Sequence, residues 1–183
     1  MKEEIKIRLA TKGDVDFIVT AVMQSIDHNN SNYSKLFKCL QDLCILEDTL
    51  YSYCHTLIAE FSGNIAGCII AYPGKIYKES RDITFNLILQ KTEISLFQNT
   101  IKTYTGEFYI DLLYVDPEYR GLRVGERLIK KAIEYKKQNI ATLIVDNLSL
   151  NLQKYYSECG FRATQEVIEN FGRTYTKMIY DEN

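Results

Sequence analysis

The sequence predicts a mixed α/β sheet in the order β-α-α-β-β, an inserted segment, then β-α-β-α-β-β. Three observations carry that prediction. Residues 5–9 alternate apolar and charged, as a strand with one wet face does. Two apolar runs, Phe108 to Val115 and Ala141 to Asp146, are each followed by a helical pattern, which is how strands joined by crossover helices read. The chain closes on two strand-like runs about a turn at Glu169 to Gly172, a hairpin signal.

The elements follow in order. Ile5, Ile7 and Leu9 form the first strand, and Thr11 caps a helix with Asp14 in the capping-box place and Asp16 in the first turn. Val15, Ile18, Val19, Val22, Met23 and Ile26 make its apolar stripe, which the polar cluster Asp27 to Ser31 ends. A second helix turns Leu36, Phe37, Leu40, Leu43 and Cys44 inward. Thr56 to Phe61 and Ile65 to Tyr72 flank Ser62-Gly63-Asn64 as a hairpin closed by Pro73-Gly74. Residues 75–105 fit no single period and read as a partly helical insertion; a connection of that length is functional more often than idle. It is expected to cover a substrate cleft, with Tyr77, Phe85 and Phe97 as test positions, or to form a dimer interface.

Phe108 to Val115 reads as a mostly buried strand interrupted by Asp111, a lone carboxylate whose burial costs several kcal/mol unless something compensates it. Strict alternation puts Tyr109, Asp111, Leu113 and Val115 on one face, with Glu107 at the strand's edge. Asp116-Pro117 ends the strand, and a helix with one apolar face runs from Val124. Between them stand Arg120, Gly121, Leu122, Arg123, Val124 and Gly125. Unpaired helix N–H groups, the positive end of the helix dipole and two guanidinium groups favour a phosphate there, and glycine lets a diphosphate approach the backbone. The same residues also suit a plain turn with glycines for packing and arginines for solubility. Leu148 or Leu150 through Glu158 is a further helix stopped by Gly160, and Phe161 to Val167 and Tyr175 to Tyr180 are the last strands.

A chain of 183 residues suits one domain, residues 1–183, with the insertion at about 75–105. A net charge of −2 gives no electrostatic case for nucleic acid, so the arginines near position 120 are a local feature. The five cysteines are scattered without a Cys-x-x-Cys pair, and His28 and His55 stand in no ligand spacing, so no metal site is expected and the thiols read as reduced. The start is charged and the longest apolar run, near Ile65 to Tyr72, is far short of a membrane span. A cytoplasmic protein without membrane contact is the expectation.

Val115-Asp116-Pro117-Glu118-Tyr119-Arg120-Gly121-Leu122-Arg123-Val124-Gly125 resembles the acetyl-CoA signature Q/R-x-x-G-x-G/A of the GNAT superfamily of N-acetyltransferases. Arg120 and Gly125 match its first and last places, and Arg123 stands where the family usually has its first glycine. Tyr156-Ser157-Glu158-Cys159-Gly160-Phe161 resembles the family's Y-x-x-x-G-F, in the expected order and place. The family often has an asparagine seven residues before that tyrosine; Ser149 occupies the place, beside Asn147 and Asn151.

The resemblance implies a GNAT-like, mostly antiparallel twisted sheet of about seven strands, helices on both faces, and central parallel strands splayed at a bulge. It implies acetyl-CoA as co-substrate and direct attack by a primary amine of an unidentified acceptor. Leu113, Tyr114 and Val115 would meet the pantetheine arm. Arg120, Gly121, Leu122, Arg123, Val124, Gly125 and Glu126 would meet the diphosphate, with Ser149 and Asn151 also at the cofactor. Tyr156 is the expected acid for the leaving thiolate, since a phenol of pKa about 10 is a reasonable donor. Asp111 is the expected anchor or base for the acceptor amine. A homodimer is a possible assembly, and the alternative function is a non-catalytic GNAT-fold module binding CoA or a protein. A phosphate-loop nucleotidase is disfavoured, since no Gly-Lys-Ser/Thr follows the loop.

Overall fold

Thr11 ends the first strand through a capping box: its hydroxyl accepts the Gly13 N–H while the Asp14 carboxylate accepts the Thr11 N–H. That turn separates β1 (Lys6–Leu9) from α1 (Val15–Ser25), and α2 (Tyr33–Cys44) follows. The computed structural model describes residues 4–26, 33–96, 100–170 and 172–180. The cluster Asp27 to Ser31, His28, Phe97 and residue 171 of the expected last turn lie outside them. The remaining elements are β2 (Thr56–Phe61), β3 (Asn64–Pro73), α3 (Tyr77–Thr92), β4 (Glu107–Val115), α4 (Val124–Glu134), β5 (Ile140–Asp146), α5 (Leu150–Glu158), β6 (Phe161–Asn170) and β7 (Arg173–Tyr180).

The strands form one sheet of seven in the order β1-β2-β3-β4-β5-β7-β6. Every neighbouring pair is antiparallel except β4 with β5. This is the expected mixed sheet. The last hairpin is longer than its sequence suggested, because β6 continues to Asn170 and β7 begins at Arg173.

Each face of the sheet carries its own core. On one, Ile18, Val22, Leu36, Leu40, Leu43 and Ile88 of α1 to α3 pack on Ile58, Cys68, Ile70 and Tyr72. On the other, Val124, Leu128 and Ala132 of α4 pack on Ile69, Phe108, Ile110, Ala141 and Leu143, with Tyr155 and Tyr156 of α5 at the margin. Each fully buried leucine or isoleucine contributes about 1.5–3 kcal/mol.

Two irregularities in β4 set up everything that follows. Ile70 pairs with Leu112 and Ala71 with Ile110, so Asp111 is the extra residue of a β-bulge. And β4 pairs with β5 only from Glu107 to Tyr109, after which the two parallel strands part. The bulge corrects the face assignment made from alternation. Tyr109 lies on the α1–α3 face with Leu112 and Tyr114, whereas Ile110, Leu113 and Val115 lie on the α4 face. One inserted residue switches the parity of all that follow it.

Candidate active site

Where β4 and β5 diverge, the β5-facing backbone edge of β4 beyond Tyr109 has no strand partner. A cleft of about 630 Å³ opens there, walled by Leu113, Tyr114 and Val115 of β4, by Tyr119 to Gly121 and Arg123 to Glu126, and by Leu152, Tyr155 and Tyr156 of α5. Most of the expected cofactor residues therefore come together: Leu113, Tyr114, Val115, Arg120, Gly121, Arg123, Val124, Gly125 and Glu126 all line it. Leu122, Ser149 and Asn151 are not among the lining residues. Leu122 and Asn151 are exposed, and Ser149 is the N-cap residue of α5, its carbonyl accepting the N–H groups of Leu152 and Gln153. Tyr119, Leu152 and Tyr155 line the cleft without having been singled out from sequence. For Leu152 a signal existed: four residues before Tyr156 on one helix, it shares that residue's face.

The floor of the cleft at α4 is built by backbone. The first intrahelical N–H is that of Arg127, donating to Arg123, so those of Val124, Gly125 and Glu126 precede the ladder. Arg123 caps the helix in the left-handed region at φ 60° and ψ 26°, which explains why glycine suits that place. Gly121 is also left-handed, at φ 85°. Gly125 suits its place for a different reason: a Cβ there would stand 2.5 Å from the Tyr155 hydroxyl, which would have to move aside. The Arg120 and Arg123 side chains are exposed beside this floor.

Of the two adjacent tyrosines, Tyr156 packs its ring edge-on against Phe161 with centroids 6.1 Å apart, and burial pushes its phenol up to about 12. Tyr155 brings its hydroxyl to Gly125 of α4; burial, then the Cys159 and Tyr156 groups, push its ionisation well above the ordinary range. Both phenols therefore keep their protons at neutral pH.

On the opposite face, Asp111 accepts a hydrogen bond from the Tyr72 hydroxyl at 2.9 Å and stands 4.0 Å from the Lys102 ammonium. Its side chain is 9% exposed. Tyr72 stacks on Tyr77 beside it while Tyr109 meets Tyr72 at a tilt and Tyr77 edge-on, and in Tyr51, Tyr72, Tyr77 and Tyr109 burial first and the Asp111 charge second hold the phenols protonated. The Tyr109 side chain is buried in the α1–α3 core beside Tyr72 and Tyr77. Tyr77 is buried and Phe85 is half-buried against the same core, and neither is among the residues lining the cleft described above. His55 packs edge-on against Tyr72, and its Nε2 is buried without a partner among the described residues.

Glu107 belongs to neither site. It accepts from the Lys177 ammonium at 2.6 Å, from the Thr103 hydroxyl at 2.8 Å and from the Tyr104 N–H at 3.2 Å, while Lys177 lies over the Tyr104 ring. Those contacts hold residues 103–104 against the sheet. Among the described residues no cluster of metal-ligating side chains occurs, and no helix is long and apolar enough to cross a membrane.

A family profile described as the acetyltransferase (GNAT) family matches residues 23–161. An uncharacterized N-acetyltransferase of Schizosaccharomyces pombe is 36% identical over 61 residues, a match covering 32% of this chain and 37% of that protein. The chain thus spans little more than a third of the curated relative it matches. Among solved structures, an N-acetyltransferase from Staphylococcus aureus Mu50 superposes with a TM-score of 0.81 at 21% identity, over 95% of this chain and 99% of that one. A second acetyltransferase gives 0.78 at 22% identity, over 96% and 98%. These structural likenesses establish the fold.

Proposed function

The chain belongs to the acetyltransferase (GNAT) family, and from that premise we propose that it transfers the acetyl group of acetyl-CoA to a primary amine by direct attack. The observation that carries the reading is the cleft at the β4–β5 splay, which opens between unpartnered strand edge and free helix N–H groups. The residues present fit the co-substrate. The N–H groups of Val124, Gly125 and Glu126, with Arg120 and Arg123 beside them, suit a diphosphate. The β4 edge at Leu113 to Val115 suits the amide groups of a pantetheine arm, and a β4 N–H suits the carbonyl oxygen as charge develops on it.

The transfer then needs two proton movements. Tyr156, protonated at neutral pH, supplies one to the departing thiolate. Asp111, across the splay, attracts the acceptor's ammonium group and takes up or relays its proton through water before attack. Holding donor and acceptor on opposite sides of one gap supplies the alignment that an uncatalysed encounter lacks. Calorimetric titration of CoA into the unmodified chain tests the first half. Binding that weakens as salt rises is expected, as phosphate–guanidinium contacts require; absence of binding at millimolar CoA overturns the reading.

A further inference from the structure

The carboxylate proposed to draw in an acceptor amine already faces one, and it belongs to the protein. The Lys102 ammonium stands 4.0 Å from Asp111 Oδ1, with the Lys102 side chain 25% exposed. Its backbone is fixed on both sides. Thr100 accepts from the Tyr77 hydroxyl at 3.3 Å and donates its own hydroxyl to the Glu169 carbonyl at 2.8 Å. Thr103 and Tyr104 are held by Glu107, and Gly74 leaves room for the Tyr104 carbonyl where a Cβ would collide with it. Other lysines form ion pairs elsewhere, Lys38, Lys91, Lys131 and Lys154 at the surface and Lys177 buried on Glu107.

We propose that Lys102 is a self-acetylation site, modified in cis by the chain's own transferase centre; the inference rests on the acetyl-transfer reading above. The Lys102 ammonium gives up a proton to Asp111 or through it to water, and the neutral nitrogen attacks the thioester carbonyl. A C–N bond forms, the C–S bond breaks, and the thiolate takes a proton. The sum is one ammonium and one thioester giving one amide, one thiol and one released proton. No oxidant or further reactant enters. A fixed lysine beside the anchoring carboxylate has the advantage of an intramolecular reaction over any lysine that must arrive by diffusion.

The test is to incubate the full-length chain with acetyl-CoA and no added amine, then map acetylation by peptide mass spectrometry over time. One acetyl increment is expected on the Lys102 peptide, appearing at least about tenfold faster than on surface lysines and at a rate per molecule unchanged by dilution. Lys102→Arg, which keeps the charge on Asp111, should abolish that increment, and Asp111→Asn should slow it. An unmodified Lys102 in a preparation that acetylates an external amine overturns this inference and leaves the transferase reading standing. Acetylation at Lys102 no faster than elsewhere, or slowing on dilution, also overturns it. A chain that neither binds CoA nor consumes the thioester overturns both.

Discussion

Tyr156 and Arg123 show how single residues carry the account. Tyr156 is held at about 12 by burial, so its proton is present across the neutral range and its loss cannot produce an alkaline fall in rate below about pH 10. Tyr156→Phe should lower kcat by about 10²-fold with CoA affinity nearly unchanged. Steady-state rates paired with CoA titration check this, and an unchanged kcat would assign the proton to another donor or make product release limiting. Arg123 bears the cost of a left-handed conformation, of the order of 1 kcal/mol for a side chain. Arg123→Gly should therefore raise stability by up to about 1 kcal/mol in urea unfolding. If backbone N–H groups dominate diphosphate binding, CoA affinity holds; a fall of about tenfold or more would transfer that role to the guanidinium group.

At the scale of elements, the corner between β1 and α1 and the strand-end cluster at Glu107 decide stability. Two 2.8 Å hydrogen bonds from Arg8, then burial opposing them, set the Asp14 carboxyl, which falls from 3.8 to about 2. A depressed carboxyl stabilises the fold at pH above its unfolded value and loses that contribution as pH falls toward its folded value. About 2 kcal/mol is at stake between about pH 5 and pH 2. Urea unfolding of the unmodified chain and Asp14→Asn across that range should converge at the acid end. Glu107→Gln leaves the buried Lys177 ammonium without its close carboxylate partner, and removal of one member of such a pair costs about 3–5 kcal/mol. A loss below about 1 kcal/mol would show that Glu166, 3.4 Å from Lys177, is partner enough. The elements also show what the sequence could and could not tell. Most strands and helices were legible because their buried positions are apolar. The helix α3 was not, since its buried face is Tyr77, Ser80, Arg81, Thr84, Ile88 and Thr92. The spacing is helical, but the threonine hydroxyls are satisfied by carbonyls four residues back, so polar residues occupy a buried stripe. The bulge at Asp111 was equally hidden, because the run from Phe108 to Val115 is apolar on both sides of Asp111 and offers no alternation to break; only the family resemblance implied one.

The molecule as a whole places its two candidate clusters on opposite faces of one sheet. The cleft and Tyr156 belong to the α4–α5 side and the Asp111 cluster to the α1–α3 side, and β4, which parts from β5 after Tyr109, carries residues of both. That division was legible only in part. The glycine-bearing loop and Tyr156 carried sequence signals, whereas Tyr72, Tyr77 and Lys102 meet Asp111 through contacts distant in the chain. The direct attack proposed above requires a ternary complex, with both substrates present before transfer. The most direct test is to follow thiol release from acetyl-CoA at initial rate while varying both acetyl-CoA and each amine of a panel spanning small amines, polyamines, aminoglycosides, peptide N-termini and lysine side chains. The account predicts amine-dependent release for at least one class, with intersecting double-reciprocal lines and with Asp111→Asn raising the amine KM, lowering kcat, or both. Thiol release that no amine accelerates, in a chain that binds CoA, would contradict it and make the protein a CoA-binding module.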